Sequence, residues 1–183
     1  MANSTKIILL LCGAGLVCLL ALIAGKMLFH SYYLYQNGMY PTLPASSLMI
    51  AANRPYSGIA NVKRGDIIVF VREEKGNRYN YIWRVVALPG DKVQTKGNTL
   101  LINGKATQRE RVREADGMSI YREHIGDASY EVAFDRSPEQ QPPDVTMIVP
   151  SYHFFVMGDN RCNAYDSRYL GPVPFSTIIG RKL

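Results

Sequence analysis

Hydrophobic and polar positions divide the chain into two unlike parts. Ile7 to Gly25 is a run of 19 uncharged residues rich in Leu and Ile, bounded by Lys6 and Lys26. As a helix it would be about 28 Å long, enough to cross the hydrocarbon of a bilayer. Ala21-Leu22-Ile23-Ala24 has the wrong spacing for a small-x-small cleavage site, so the run is read as an uncleaved anchor. Phe29, Tyr32, Tyr33 and Tyr35 then suit an aromatic belt at the membrane interface. The flanking charges encode orientation weakly. The expected organisation is an anchor over residues 1–30 and a folded domain over residues 31–183.

Beyond residue 36 helical periodicity is almost absent, and from about residue 46 short apolar runs alternate with turn residues. Asp66 to Val71 reads as a buried strand. Tyr79 to Leu88 is rich in aromatic and β-branched residues and ends at the turn Pro89-Gly90-Asp91. Val93–Thr95 and Thr99–Ile102 flank Lys96-Gly97-Asn98 as a hairpin. Residues 118–135 alternate loosely and suit two more strands. Ser137 to Pro143, with three prolines, reads as a surface loop. Met147–Val149, Phe154–Met157 and Ile178–Arg181 complete the set. The fold class is mainly β, with one or two coiled antiparallel sheets behind one transmembrane helix.

Composition adds limits. The 183 residues carry a net charge of +6, with Lys and Arg scattered apart from Arg109, Arg111 and Arg113, which Glu110 and Glu114 partly offset. This does not favour nucleic acid as a partner; anionic lipid headgroups and solvent are better uses of the charge. Cys12 and Cys18 lie in the apolar run and Cys162 in the soluble part, so no disulfide framework is implied. No metal or cofactor is expected.

Four segments carry a more specific message. They are Gly38-Met39-Tyr40-Pro41-Thr42-Leu43, Lys63 to Phe70, Tyr81-Ile82-Trp83-Arg84 through Asp91, and Gly158-Asp159-Asn160-Arg161 through Asp166-Ser167-Arg168. In this order they resemble the motifs of type I signal peptidases, the membrane proteases of peptidase family S26. The resemblance implies a signal-peptidase β domain, a cell-membrane anchor with a single pass, and an extracytoplasmic soluble domain. It also implies a Ser nucleophile at Gly38 and a Lys general base at Trp83. Glycine offers no nucleophile, and an indole N–H donates but cannot accept a proton. Of the supporting hydroxyls, one maps to Gln36 and one to Ala164. The chain is thus expected to be a variant without its catalytic dyad.

The structural half of the resemblance is kept. Arg84, Asp159, Arg161, Asp166, Ser167 and Arg168 match the family pattern, and their interleaved charges are expected to pair and fix the loop. Met39, Tyr40, Pro41, Tyr81 and Trp83 are candidates to line a peptide cleft. By period two, Tyr79, Tyr81, Trp83 and Val85 share a face. Trp83 can plug the cleft, floor it for an apolar peptide, or simply fill core volume. Three functions compete. One is a non-catalytic peptide-binding or secretion and assembly factor, partnered by signal peptides or a secretion complex. The second is an active signal peptidase with a relocated dyad, for which Ser46, Ser47, Thr42 and Lys63 are the nearest candidates. The third is a structural partner of an active paralogue or secretion complex, using its surface and not its cleft.

Overall fold

The computed structural model describes residues 15–16, 19–20, 25–138 and 141–183. Most of the apolar run Ile7 to Gly25, and with it the expected membrane helix, lies outside the described residues. Among those described, no helix is long and apolar enough to cross a membrane. Residues 25–28 are helical and lead directly into the first strand. That strand occupies the aromatic stretch read as an interface belt.

Among the described residues there are fourteen strands. They are β1 Phe29–Leu34, β2 Ser47–Asn53, β3 Ile67–Glu74, β4 Asn77–Ala87, β5 Lys92–Lys96, β6 Thr99–Ile102 and β7 Lys105–Ala106, then β8 Gln108–Ala115, β9 Met118–Ile125, β10 Ala128–Asp135, β11 Val145–Ile148, β12 His153–Met157, β13 Val173–Pro174 and β14 Ile178–Lys182. The largest sheet has the order β1-β2-β14-β3-β4-β12-β13; smaller sheets run β10-β9-β8 and β11-β5-β6-β7. Every pairing between strands is antiparallel.

Two hydrophobic cores share a wall. Strands β4 and β12 alternate their side chains, as a pleated strand must. Trp83, Val85, Phe154 and Val156 enter one core with Met49, Ile68 and Phe70. Val86, Phe155 and Met157 enter the other with Val93, Leu100 and Val132. This wall places the third and fourth motifs side by side. Val156 and Met157 pair with Val85 and Arg84.

The turn at Pro89-Gly90-Asp91 is more than a chain reversal. Asp91 accepts from the Leu88 N–H (2.7 Å), from Arg64 Nη2 (2.7 and 2.6 Å) and from Asn103 Nδ2 (2.8 Å). Burial opposes its ionisation, but these donors outweigh that and hold the carboxyl below the ordinary carboxylate range. A carboxyl more acidic in the folded than in the unfolded state stabilises the fold above the unfolded value. That contribution disappears as pH falls through the folded value. Asp91→Asn should therefore be less stable than the parent at neutral pH, with a gap that closes below about pH 4. Urea midpoints of both proteins across pH check this; a gap that stays constant into strong acid would contradict it.

Candidate functional site

The loop after β1 turns tightly. Tyr40 N donates to Asn37 O (3.1 Å), Leu43 N to Met39 O (2.8 Å) and Ala45 N to Asn37 Oδ1 (3.1 Å). The Tyr40–Pro41 bond is cis. The fourth motif grips this loop from the other side: Asn160 N donates to Gly38 O (3.0 Å) and Asn160 Nδ2 to Asn37 O (3.2 Å). Gly38 is thereby held beside β4.

On β4, Trp83 is 6% exposed and part of the main core. Its six-membered ring stands against Gly38. A Cβ built on Gly38 would lie 2.5 Å from Trp83 Cη2 and 2.7 Å from Cζ3. Carbon atoms do not approach that closely, so Gly38 has to lack a side chain while the indole is there. The neighbouring Gly158 is equally confined: a Cβ there would collide with the Ala164 methyl and the Gly38 carbonyl, and would lie 3.0 Å from Trp83 Cζ3. Gly38, Trp83, Gly158 and Ala164 form one interlock. The Trp83 Nε1–H is buried and finds no acceptor among the described residues.

Above the interlock lies a cleft of about 460 Å³, walled by β1 and β4. Its lining includes Gln36, Gly38, Met39, Tyr81 and Trp83, with Tyr33, Tyr35, Tyr79 and Tyr165 along its sides. Trp83 is therefore both a core side chain and the floor of the cleft. Tyr40 and Pro41, expected in the cleft, are not among its lining residues; the Tyr40 hydroxyl instead donates to Asp116 (2.9 Å). Glu74 was not anticipated there. It accepts from the Tyr81 hydroxyl (3.0 Å), and burial together with that hydrogen bond pushes the Tyr81 pKa up to about 12.

The charged residues of the fourth motif pair differently from a simple interleaved loop. Asp166 and Arg168 do pair with each other (2.9 and 2.7 Å). Asp166 also accepts from Gly158 N (2.9 Å) and Arg168 N (3.1 Å), capping the single helical turn Ser167–Leu170. The Ser167 hydroxyl accepts from Val156 N (3.0 Å). Asp159 reaches across to Arg84 in a bidentate pair (2.8 and 2.6 Å). Arg84 also donates to Gly65 O (2.7 Å) and Thr42 Oγ1 (3.2 Å), and lies over the Tyr130 ring at 4.0 Å. One residue of the third motif thus ties it to the other three. Burial alone would weaken the Arg84 cation, but the adjacent Asp159 carboxylate more than restores it.

Arg161 takes a partner that sequence reading missed. Its guanidinium forks onto Glu123 of β9 (3.0 Å from Nη1), and both residues are buried. A Glu in an alternating strand gives no sign that it faces inward, so no local signal marks it. Cys162 is a free thiol that burial pushes toward the protonated form, which does not suit a nucleophile.

Two of the four candidates for a relocated dyad, Ser47 and Thr42, are engaged elsewhere. The Ser47 hydroxyl donates to Pro44 O (2.6 Å), and Thr42 accepts from Arg84. Ser46 sits in the turn before β2 with a positive φ of 62°.

Comparison with known proteins points to one family. A family model described as signal peptidase, peptidase S26, matches residues 7–183. The signal peptidase I of Pseudomonas aeruginosa is 31% identical over 90% of this chain and 67% of its own length. That of Bacillus caldolyticus is 31% identical over 90% of this chain and 82% of its own. Signal peptidase I T of Bacillus subtilis is 32% identical over 88% and 76%. Among solved structures, a signal peptidase I from Enterococcus faecalis aligns with a TM-score of 0.39 at 25% identity, covering 66% of this chain and 96% of that one. With a family model spanning nearly the whole chain, and relatives 31% identical over 90% of it, the chain belongs to the S26 family of signal peptidases.

Proposed function

We propose that this protein is a non-catalytic member of its family, a membrane-anchored factor that binds an extended apolar peptide in its cleft and serves secretion or assembly. The observation that carries the reading is the contact of Trp83 with Gly38. Where the resemblance places a nucleophile and a base, the chain has a bare backbone and a ring packed against it. The cleft above remains open and aromatic, which suits a peptide more than it suits hydrolysis. The unpartnered indole N–H is a donor that a peptide carbonyl would satisfy.

Trp83 is the sole tryptophan of the chain, so its emission reports directly on the cleft. The purified full chain should show no saturable cleavage of an Ala-x-Ala substrate. The same peptide, or an apolar variant of it, should shift or quench the emission saturably. Cleavage that follows this chain through purification would sink the reading. Unchanged emission would remove the peptide and leave a partner role for the outer surface.

The anchor and the extracytoplasmic placement belong to the same proposal. They rest on the apolar run Ile7 to Gly25 and on the family resemblance. Protease added to spheroplasts should digest residues beyond about 36 while the run stays with the membrane. A soluble product beginning near residue 25 would exclude the anchor.

A further inference from the structure

A second cavity, of about 630 Å³ and sharing no lining residue with the cleft, lies against the sheet β10-β9-β8. Its walls are unlike those of the cleft. Arg109 and Arg136 supply guanidinium groups, Thr107 and Ser119 hydroxyls, and Asn98 an amide, while Tyr121 and Phe134 supply rings.

Arg109 is the informative member. Its side chain is only 20% exposed. Its guanidinium carbon lies 4.7 Å from the Phe134 ring centroid and 5.9 Å from that of Tyr121. Its one ion pair among the described residues is a loose one, 3.9 Å to Glu123. That carboxylate is already committed to both nitrogens of the Arg161 fork and to the Thr107 hydroxyl (3.3 Å). A single negative charge is thus shared between two cations, and the better-placed cation takes it. Burial weakens the Arg109 cation more than Glu123 supports it. Among the described residues this guanidinium has unused donors; facing a polar cavity and mostly buried, it is short of an anion.

The other charges at the cavity are consistent with a ligand of modest size. Arg136 donates to Gly117 O (3.1 Å) and more weakly to Glu114 (3.5 Å), and more than half of its side-chain surface is exposed. Asp135 opposes an anion, although one of its oxygens accepts from Ser137 N (2.9 Å). Two cations against one carboxylate leave the wall net positive. The hydroxyls, the amide and the ring faces suit a polar body attached to the charged group.

We propose that this cavity binds a small oxyanion, a phosphate or a carboxylate, forked by Arg109 and assisted by Arg136. Calorimetry of the full chain in phosphatidylcholine nanodiscs, titrated with inorganic phosphate and then with succinate at constant ionic strength, tests it. Saturable binding of at least one is expected. Arg109→Gln should weaken it roughly ten- to a hundredfold, the range for a charge-assisted bond, and Arg136→Gln several-fold. Repeating the titration in phosphatidylglycerol nanodiscs separates the sources. Competition there identifies a lipid headgroup phosphate as the occupant, and unchanged binding identifies a soluble anion. Absence of saturable binding, or equal binding by Arg109→Gln, overturns the proposal. Should Arg109→Gln not fold, Arg136→Gln and Ser119→Glu decide it: both must weaken binding, and unchanged affinity in both rejects the site.

Discussion

Gly38→Ala, the addition of one methyl group, should destabilise the fold by about 1–3 kcal/mol, the usual cost of overfilling a packed site. The new Cβ has 2.5 Å to the nearest indole carbon, well inside contact distance. The backbone beneath cannot retreat, because Asn160 and the fourth motif hold the Gly38 carbonyl. The ring must therefore swing toward the cleft, and the emission of Trp83 should move to longer wavelength as it meets water. In a Trp83→Leu background the same methyl group should cost little. The difference between the two backgrounds is the coupling energy of the pair, expected at about 1–2 kcal/mol. Equal costs in both backgrounds would show that the two positions do not sense each other.

The same interlock sets the terms for restoring chemistry. Gly38→Ser alone adds a nucleophile under a ring that blocks it. Trp83→Lys alone adds a base with nothing to deprotonate. Together they empty the floor of the cleft and place hydroxyl and amine within one site, so weak hydrolysis should appear only in the double variant. Ala164→Ser, next to Gly158, should raise it further by orienting the amine. A folded double variant inert even with this third change would favour a role for the protein's surface over peptide binding.

The second large effect is expected away from the cleft. Glu123→Ala should destabilise the protein by about 3–5 kcal/mol, because Arg161 would be left charged and enclosed. Both side chains are at most 3% exposed, so water cannot replace the lost carboxylate. For a domain of this size that is a fall in melting temperature of roughly 10 °C. Replacing both partners, as Glu123→Leu with Arg161→Met, should recover much of the loss, since the cost lies in the uncompensated charge. Calorimetry of the parent, the single and the double variant is the check. A single variant within 1 °C of the parent would refute the argument.

How far the sequence announced this structure depends on which forces act locally. Strands β3 and β4 were legible because both are buried for much of their length and read as apolar runs. The hairpin β5–β6 was legible through Gly97. Strand β8 was not, since Gln108 to Ala115 has no buried position and therefore no alternation to betray it. A turn signal was available there: Asp116-Gly117, like Asn103-Gly104, has both residues at positive φ and closes a two-residue hairpin. β1 was hidden by its aromatic residues, which suit a lipid interface as well as a strand. At the site, motif resemblance located Gly38, Trp83, Gln36 and Ala164, but it could not show that one ring fills the space a side chain at 38 would need. The pairs Arg84–Asp159 and Arg161–Glu123 join residues 75 and 38 positions apart. Nothing in a local pattern encodes such partners.

The contact between Gly38 and Trp83 also constrains the order in which the two positions can change. In a lineage whose nucleophile stood at position 38, an indole could not settle at 83 while that side chain remained. In such a lineage the change at 38 would have to come first, or together with the change at 83. The reverse path is then hindered at each step: a serine at 38 meets the ring, and a lysine at 83 requires more than one base change from the tryptophan codon. The packing works as a ratchet. A relative with glycine at the first position and lysine at the second would meet no clash, whereas one with serine and tryptophan together would have to displace the ring.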